Sequence, residues 1–358
     1  MNPQIKLSRE PGFLKFHVSS SHAEYDVDGL ASFKKLLHEV EVIETIKNGF
    51  EGSSVVGGAV DSVTGTGKGI YNLVVHPVDS VKGVGEAGGR LGRSVGRAFR
   101  SKQEGEDAPF EEKVFGHWER QVAKDLDVDM YTTNPYLKEI LAEKAKGRAG
   151  GKGAVMVGKL FIPGGILVSA ALAAGDINTT ADRVVNDESR PELFRMNQEA
   201  LQELGFTESE ARQFLNNLFY TPREATYMRF YLDKLQTVRG SRNIMKEAMR
   251  AKSLWQARKI LYSAQMAADS FRDTDPFTRL ECFSEGIAVE DRNRAILITP
   301  YDYLEESALG GRVLDRTLEM QKKWQKPEAE IWNGGNVTTG FLVESQDRGI
   351  KARTWQLF

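Results

Sequence analysis

The chain has 358 residues, which is long enough for two or three domains. Apolar residues make up 41% and charged residues 27%, proportions that are typical of a globular protein. The net charge of −2 argues against a general nucleic-acid binder, and the single cysteine, Cys282, excludes an internal disulfide and a cysteine-based metal cluster.

The first fifty residues predict a β-hairpin followed by a helix. Residues 13–18 and 23–27 are typical of two short strands, with a run of serines as the turn between them. Residues 1–15 are too polar for the apolar core of a signal peptide. Residues 29–47 predict a helix, because apolar side chains recur every three or four positions, at Leu30, Phe33, Leu37, Val40 and Ile43.

Residues 55–99 are rich in glycine and contain an internal repeat. The tetrapeptide V-D-S-V at residues 60–63 returns at residues 78–81, and the glycines at 65 and 67 return at 83 and 85. The offset of 18 residues equals five turns of an α-helix, so repeated positions would lie on one face. The segment therefore predicts an amphipathic helical element.

The same face continues into a basic line of side chains. Between residues 82 and 102 there are six cations and one acid. The predicted contact residues of this segment are Val60, Val63, Ile70, Val74, Val78, Val81, Arg90, Leu91, Arg93, Val95, Arg97, Phe99 and Arg100.

Such a helix would be weak in water, because each interior glycine costs about 1 kcal/mol relative to alanine. Pro77 interrupts it further. A surface that buries the apolar line has to supply the missing stability. Three surfaces fit: the protein's own core, an anionic membrane and a protein partner. Arginines beside an apolar stripe suit anionic headgroups, so we take anionic lipid as the preferred partner.

Residues 67–92, G-K-G-I-Y-N-L-V-V-H-P-V-D-S-V-K-G-V-G-E-A-G-G-R-L-G, resemble the amphipathic repeats of eukaryotic bridge-like lipid-transfer proteins. More loosely, they resemble perilipin and synuclein repeats. Those segments bind membranes or lipid droplets, so the resemblance implies lipid contact.

The whole chain also resembles a group of uncharacterised bacterial proteins that are often made with a signal peptide. The shared stretches are D-V-D-M-Y-T-T-N-P-Y-L (127–137), F-L-N-N-L-F-Y-T-P-R-E-A-T (214–226) and I-T-P-Y-D-Y-L (298–304). That resemblance implies an exported or periplasmic protein from which the signal peptide has been removed, and the predicted lipid contact would make it membrane-peripheral. The alternative location is the cytoplasm.

Residues 109–126 predict a helix, after which three aspartates alternate as at the start of a calcium loop. The sequence does not fit a calcium-binding loop, because Met130 stands where glycine is needed and Tyr136 where the bidentate glutamate is needed. Instead, Asn134 and Pro135 are typical of the N-cap and first residue of a new helix.

A second apolar run covers residues 153–175 and contains one charge, Lys159. Its length suits a membrane span, but P-G-G at 163–165 divides it into two halves. A helical hairpin in a soluble core, a hairpin inserted into a membrane and a full span are the three alternatives.

Residues 189–275 predict an antiparallel helical bundle joined by short loops. Capping boxes are expected at Ser189, Thr207 and Thr221, and a further cap at Ser253. Residues 276–358 predict a small α/β unit, with strands at 286–290, 294–299, 330–332 and 350–357 and helices at 303–325 and 338–346.

The predicted fold is therefore mainly α, with five parts. These are an N-terminal hairpin and helix (1–50), the glycine-rich segment (51–106), helices with the apolar broken hairpin (107–188), the helical bundle (189–275) and the α/β unit (276–358).

No catalytic motif is found. The G-x-G-x-x-G at residues 83–88 has no strand before it, and Gly69 stands where a phosphate loop needs serine or threonine. The sequence assigns no catalytic, cofactor-binding or metal-binding residue and no nucleic-acid partner. It predicts a non-enzymatic, membrane-associated protein. The alternatives are a soluble interaction protein and an enzyme of unrecognised class.

Overall fold

The computed structural model describes residues 2–7, 12–21, 23–47, 110–152, 177–272 and 276–355. This part of the chain is mainly helical, as the sequence predicts, with strands near both of its ends.

The elements follow one another in this order. They are β1 (Asn2–Leu7), β2 (Leu14–Ser19), β3 (Glu24–Asp28), α1 (Leu30–Lys47), α2 (Phe110–Asp125), α3 (Pro135–Lys152), α4 (Ile177–Asp187), α5 (Arg190–Glu203), α6 (Glu208–Leu215), α7 (Pro222–Lys234), α8 (Arg242–Arg250), α9 (Leu254–Ser270), β4 (Arg279–Cys282), β5 (Ile287–Glu290), β6 (Arg294–Thr299), β7 (Tyr303–Leu304), α10 (Ala308–Trp324), β8 (Glu328–Asn333), β9 (Asn336–Val337), α11 (Thr339–Asp347) and β10 (Ile350–Thr354).

The predicted hairpin is present as β2 and β3, which pair antiparallel with Phe16 opposite Val27. Strand β1 adds to the other side of β2 and completes a three-stranded sheet. Phe16 and Val27 point to the face that Leu36 and Val40 of α1 cover. We call β1–β3 with α1 the N-terminal unit.

Helix α1 buries a different stripe from the one that the sequence predicts. Leu36 is buried and Leu37 is not, whereas Val40 and Ile43 are buried as expected. The reason is that α1 packs on two partners, the N-terminal sheet and the pair α2–α3. The wider buried stripe includes a carboxylate, Glu39.

Helix α7 lies at the centre of the helical part. Ten successive residues, 223–232, are buried, so α7 is covered on all sides. Helices α4, α5 and α9 pack on it. Its N-terminus is fixed by the predicted capping box, in which Thr221 and Glu224 each accept a backbone N–H of the other.

The other predicted caps form, with one exception. Thr207 forms the expected box with Glu210, and Ser253 accepts the backbone N–H of Gln256. Ser189 accepts the N–H of Glu192, but the Glu192 carboxylate binds the Arg195 side chain and does not close the box.

The predicted α/β unit is present as a five-stranded mixed sheet in the order β10-β8-β6-β5-β4. Strands β6, β8 and β10 are parallel, with α10 and α11 as their connections. Side chains of β5 and β6 alternate between two cores, one shared with α9 and one shared with α10 and α11. The predicted helix at 303–325 begins later, at Ala308, because Ser307 caps it.

Candidate functional site

The lipid-contact residues that the sequence predicts, from Val60 to Arg100, lie outside the described residues. The apolar run 153–175 lies outside them as well. The structure does describe the helices that border these segments in the sequence. We call the described residues together the folded body, and several polar side chains are buried within it.

The helices that border these segments, α2, α3 and α4, contact one another through α2. Helices α2 and α3 are joined by a short turn and pack on one another, so they run antiparallel. Lys124, near the end of α2, and Asp187, the last residue of α4, form an ion pair of 3.6 Å, so the C-terminal ends of these two helices lie close together.

Helix α3 becomes basic towards its C-terminal end. Lys144 and Lys146 are exposed, and the helix ends at Lys152. In the sequence, a stretch of helix with several lysines therefore precedes the apolar run 153–175.

A cluster of buried and half-buried charges joins the N-terminal unit to the helices. Lys35 of α1 lies 2.7 Å from Asp129, which follows α2, and 3.9 Å from Glu39 one turn along α1. Arg223 of α7 lies 3.7 Å from Asp129 and also pairs with Asp182 of α4. We call these five residues the junction cluster.

Glu39 is the most buried member of the junction cluster, with 1% of its surface exposed. Its Oε1 accepts a hydrogen bond of 2.7 Å from the hydroxyl of Thr132. Burial raises the pKa of the Glu39 carboxyl, while Lys35 and Thr132 oppose that change. A carboxyl in this position holds its proton at a higher pH than an exposed one.

The other four members of the junction cluster are two basic and two acidic side chains. Burial lowers the pKa of the Arg223 guanidinium, but Tyr227, Asp182 and Asp129 outweigh burial and raise it. Burial raises the pKa of the Asp182 carboxyl, and the Arg223 guanidinium opposes that change. Lys35 and Arg223 thus face the carboxyls of Asp129 and Asp182. The arrangement is that of a structural ion-pair network between four segments of chain.

A second buried carboxylate lies at the carboxyl end of the parallel strands, the edge where open α/β sheets bind ligands. Asp302, just after β6, is 3% exposed. Its Oδ2 accepts the backbone N–H of Leu14 at 2.9 Å and of Leu30 at 3.0 Å. In this protein the N-terminal unit thus covers part of that edge.

The sequence did not predict the junction cluster or the burial of Asp302. Asp129, Arg223 and Asp302 lie in the three stretches that carry the resemblance to bacterial proteins, yet none of these residues belongs to a known catalytic motif. A weak signal was present in α1, where Glu39 falls between the apolar positions Leu36 and Val40.

Nothing in the described residues indicates a metal site or a membrane-crossing helix. In that part of the chain, no group of three or more histidine, cysteine or acidic side chains could hold a metal ion. None of its helices is both long and apolar enough to span a membrane.

The chain matches no known family model, no curated protein and no solved structure. Its function therefore has to be inferred from its own residues, and the resemblances noted from its sequence remain predictions.

Proposed function

We propose that this chain is a non-enzymatic, membrane-peripheral protein that contacts anionic lipid through residues 55–100. The observation that carries the proposal is the 18-residue repeat followed by regularly spaced arginines. An amphipathic segment of this composition gains stability when a lipid interface buries its apolar line, and its cations add attraction to anionic headgroups.

The folded body supplies a rigid base for this segment. We propose that residues 189–275 form a helical bundle around α7 and that the α/β unit is attached to it. The exposed lysines Lys144 and Lys146 near the end of α3 support the proposal, because cations beside residues 153–175 would be attracted to an anionic membrane.

The test is co-flotation of the full chain with vesicles, with and without phosphatidylglycerol. Each juxtamembrane cation contributes about 1 kcal/mol towards an anionic surface. We therefore expect the variant Arg90→Glu, Arg93→Glu, Arg97→Glu to lose binding to anionic vesicles. A matched control reverses three exposed cations of the folded body, Lys252→Glu, Arg292→Glu and Lys322→Glu, and should still float.

The apolar line has its own variant. Val95→Ser with Phe99→Ser should weaken binding to neutral vesicles too, because it removes apolar area that the acyl boundary buries. Added salt should weaken binding of the Val95→Ser, Phe99→Ser protein further, since its arginines remain and exposed charges are screened. If the unmodified chain floats with no vesicle, the lipid proposal fails. A partner protein or the protein's own core is then the surface that residues 55–100 contact.

A further inference from the structure

The backbone around Asp302 is held rigidly at the carboxyl edge of the sheet. The carbonyl of Asp302 accepts the N–H of Asn336 at 2.8 Å. The amide of Asn333 at the end of β8 donates to the carbonyl of Tyr301 at 3.1 Å, and its oxygen accepts from Thr299 at 3.0 Å. Strands β6 and β8 thus fix the position from which the Asp302 side chain extends.

That side chain reaches two points of the N-terminal unit. Leu30 is the first residue of α1, so its N–H has no partner within the helix and bonds to both oxygens of Asp302 at 3.0 Å. Leu14 is the first residue of β2. Beside these bonds Phe13, which is 2% exposed, packs against Trp255 and Tyr301. The carboxyl is therefore part of the docking interface.

No cation compensates this carboxyl in the described residues, since none of their ion pairs includes Asp302. The groups that affect it or lie near it are Asp28 of β3, Tyr262 of α9 and Tyr303 of β7, and Asp28 has the same charge. Lys15, opposite Asp28 in the sheet, lies against Asp26 instead, and Arg312 of α10 faces Glu285.

A buried carboxyl without a counter-ion favours its neutral form. Burial raises the pKa of Asp302 to about 7, while the N–H groups of Leu14 and Leu30 oppose that change. Oδ2 accepts from both amides, so a proton on Oδ1 leaves both segments bonded.

We propose that Asp302 makes the docking of the N-terminal unit on the C-terminal sheet dependent on pH. Docking is tightest when the carboxyl carries a proton and weakens as the carboxyl ionises. The sign follows from linkage: the docked state holds the proton more strongly than an undocked, solvated Asp302 does. The free energy of docking is therefore most favourable below the pKa of the Asp302 carboxyl in the undocked state. It becomes less favourable as pH rises towards 7.

The test is hydrogen exchange of the full chain between pH 5.5 and 8.5, corrected for the intrinsic pH dependence of exchange. We expect amide protection of residues 14–33, relative to β5 and β6, to fall up to about 30-fold as pH rises through 7 and then to level off. A flat profile in the unmodified protein overturns the proposal, whether or not any variant folds.

The variant Asp302→Asn cannot ionise and should show no such step. Asp347→Asn, an exposed carboxylate on α11, is the matched control and should retain it. Histidines change charge in the same pH range, so the double variant His17→Gln, His38→Gln is a second control. A step that persists in Asp302→Asn, or that disappears in the histidine variant, overturns the proposal.

Discussion

The Arg223 guanidinium lies 3.7 Å from the Asp129 carboxylate, and this contact joins the central helix α7 to the turn between α2 and α3. Asp129 also holds Lys35 of α1 at 2.7 Å, so one carboxylate faces two cations from different parts of the fold. The junction cluster is thus a point at which the N-terminal unit and the helices depend on each other.

Removing the charge of Asp129 should therefore destabilise the whole protein. In Asp129→Asn, Lys35 and Arg223 lose an anion in a buried setting, and we expect a loss of about 3 kcal/mol in the free energy of unfolding. Urea denaturation followed by circular dichroism measures it. The control is Glu208→Gln, which removes an exposed partner of Arg212 and should cost less than about 0.5 kcal/mol. Equal costs in the two variants would contradict a structural role for the cluster.

The raised pKa of Glu39 gives a pH dependence with a definite sign. The folded state holds this proton more strongly than the unfolded state, so its contribution to stability is complete below the unfolded pKa of 4.5. That contribution is lost as pH rises through the folded pKa, by about 1.4 kcal/mol for each pH unit that separates the folded pKa from the unfolded pKa.

Glu39→Gln removes this ionisation and retains an oxygen for the Thr132 hydroxyl. Its stability should match that of the unmodified protein near pH 4 and exceed it at pH 8, as measured by urea denaturation at both values. Glu139→Gln changes an exposed carboxylate on α3 and should leave the pH profile unchanged. A Glu39→Gln protein that loses stability equally at both pH values would show that folding does not raise the pKa of the Glu39 carboxyl.

Two glycines near the carboxyl edge should respond to the same substitution with opposite signs. A Cβ on Gly335 would lie 2.1 Å from the carbonyl oxygen of Asp302, so Gly335→Ala must displace backbone and should cost about 1–3 kcal/mol. A Cβ on Gly311 in α10 meets nothing within 4 Å, so Gly311→Ala should stabilise by up to about 1 kcal/mol. Thermal unfolding of both variants tests this, and a stabilised Gly335→Ala would contradict the close approach of the two loops.

Local signals predicted several helix starts correctly, because a cap needs only residues three positions apart. Thr207, Thr221 and Ser253 each accept the N–H that the pattern assigns to them. Strands β1 and β4 were missed, since both are edge strands with few apolar residues and pair along one side within their sheets. These strands are stabilised by pairing with adjacent strands, and the sequence of the strand itself does not reveal that pairing.

The buried carboxylates could not be found from local patterns for the same reason. Glu39 bonds to Thr132, 93 positions away, and Asp302 bonds to Leu30, 272 positions away. Only the tertiary fold decides that these acids are buried while an acid such as Glu139 is exposed. The contact residues predicted between Val60 and Arg100 lie outside the described residues and stay predictions.

The span of the Asp302–Leu30 contact has a consequence for synthesis of the chain. A ribosome adds about 5–20 residues per second, so the 272 positions between these residues take on the order of 15–55 seconds to translate. During that interval the N-terminal unit lacks its partner on the sheet, and residues 55–100 and 153–175 are synthesised before that partner exists. If residues 55–100 contact lipid as we propose, that contact can form before the N-terminal unit docks on the sheet.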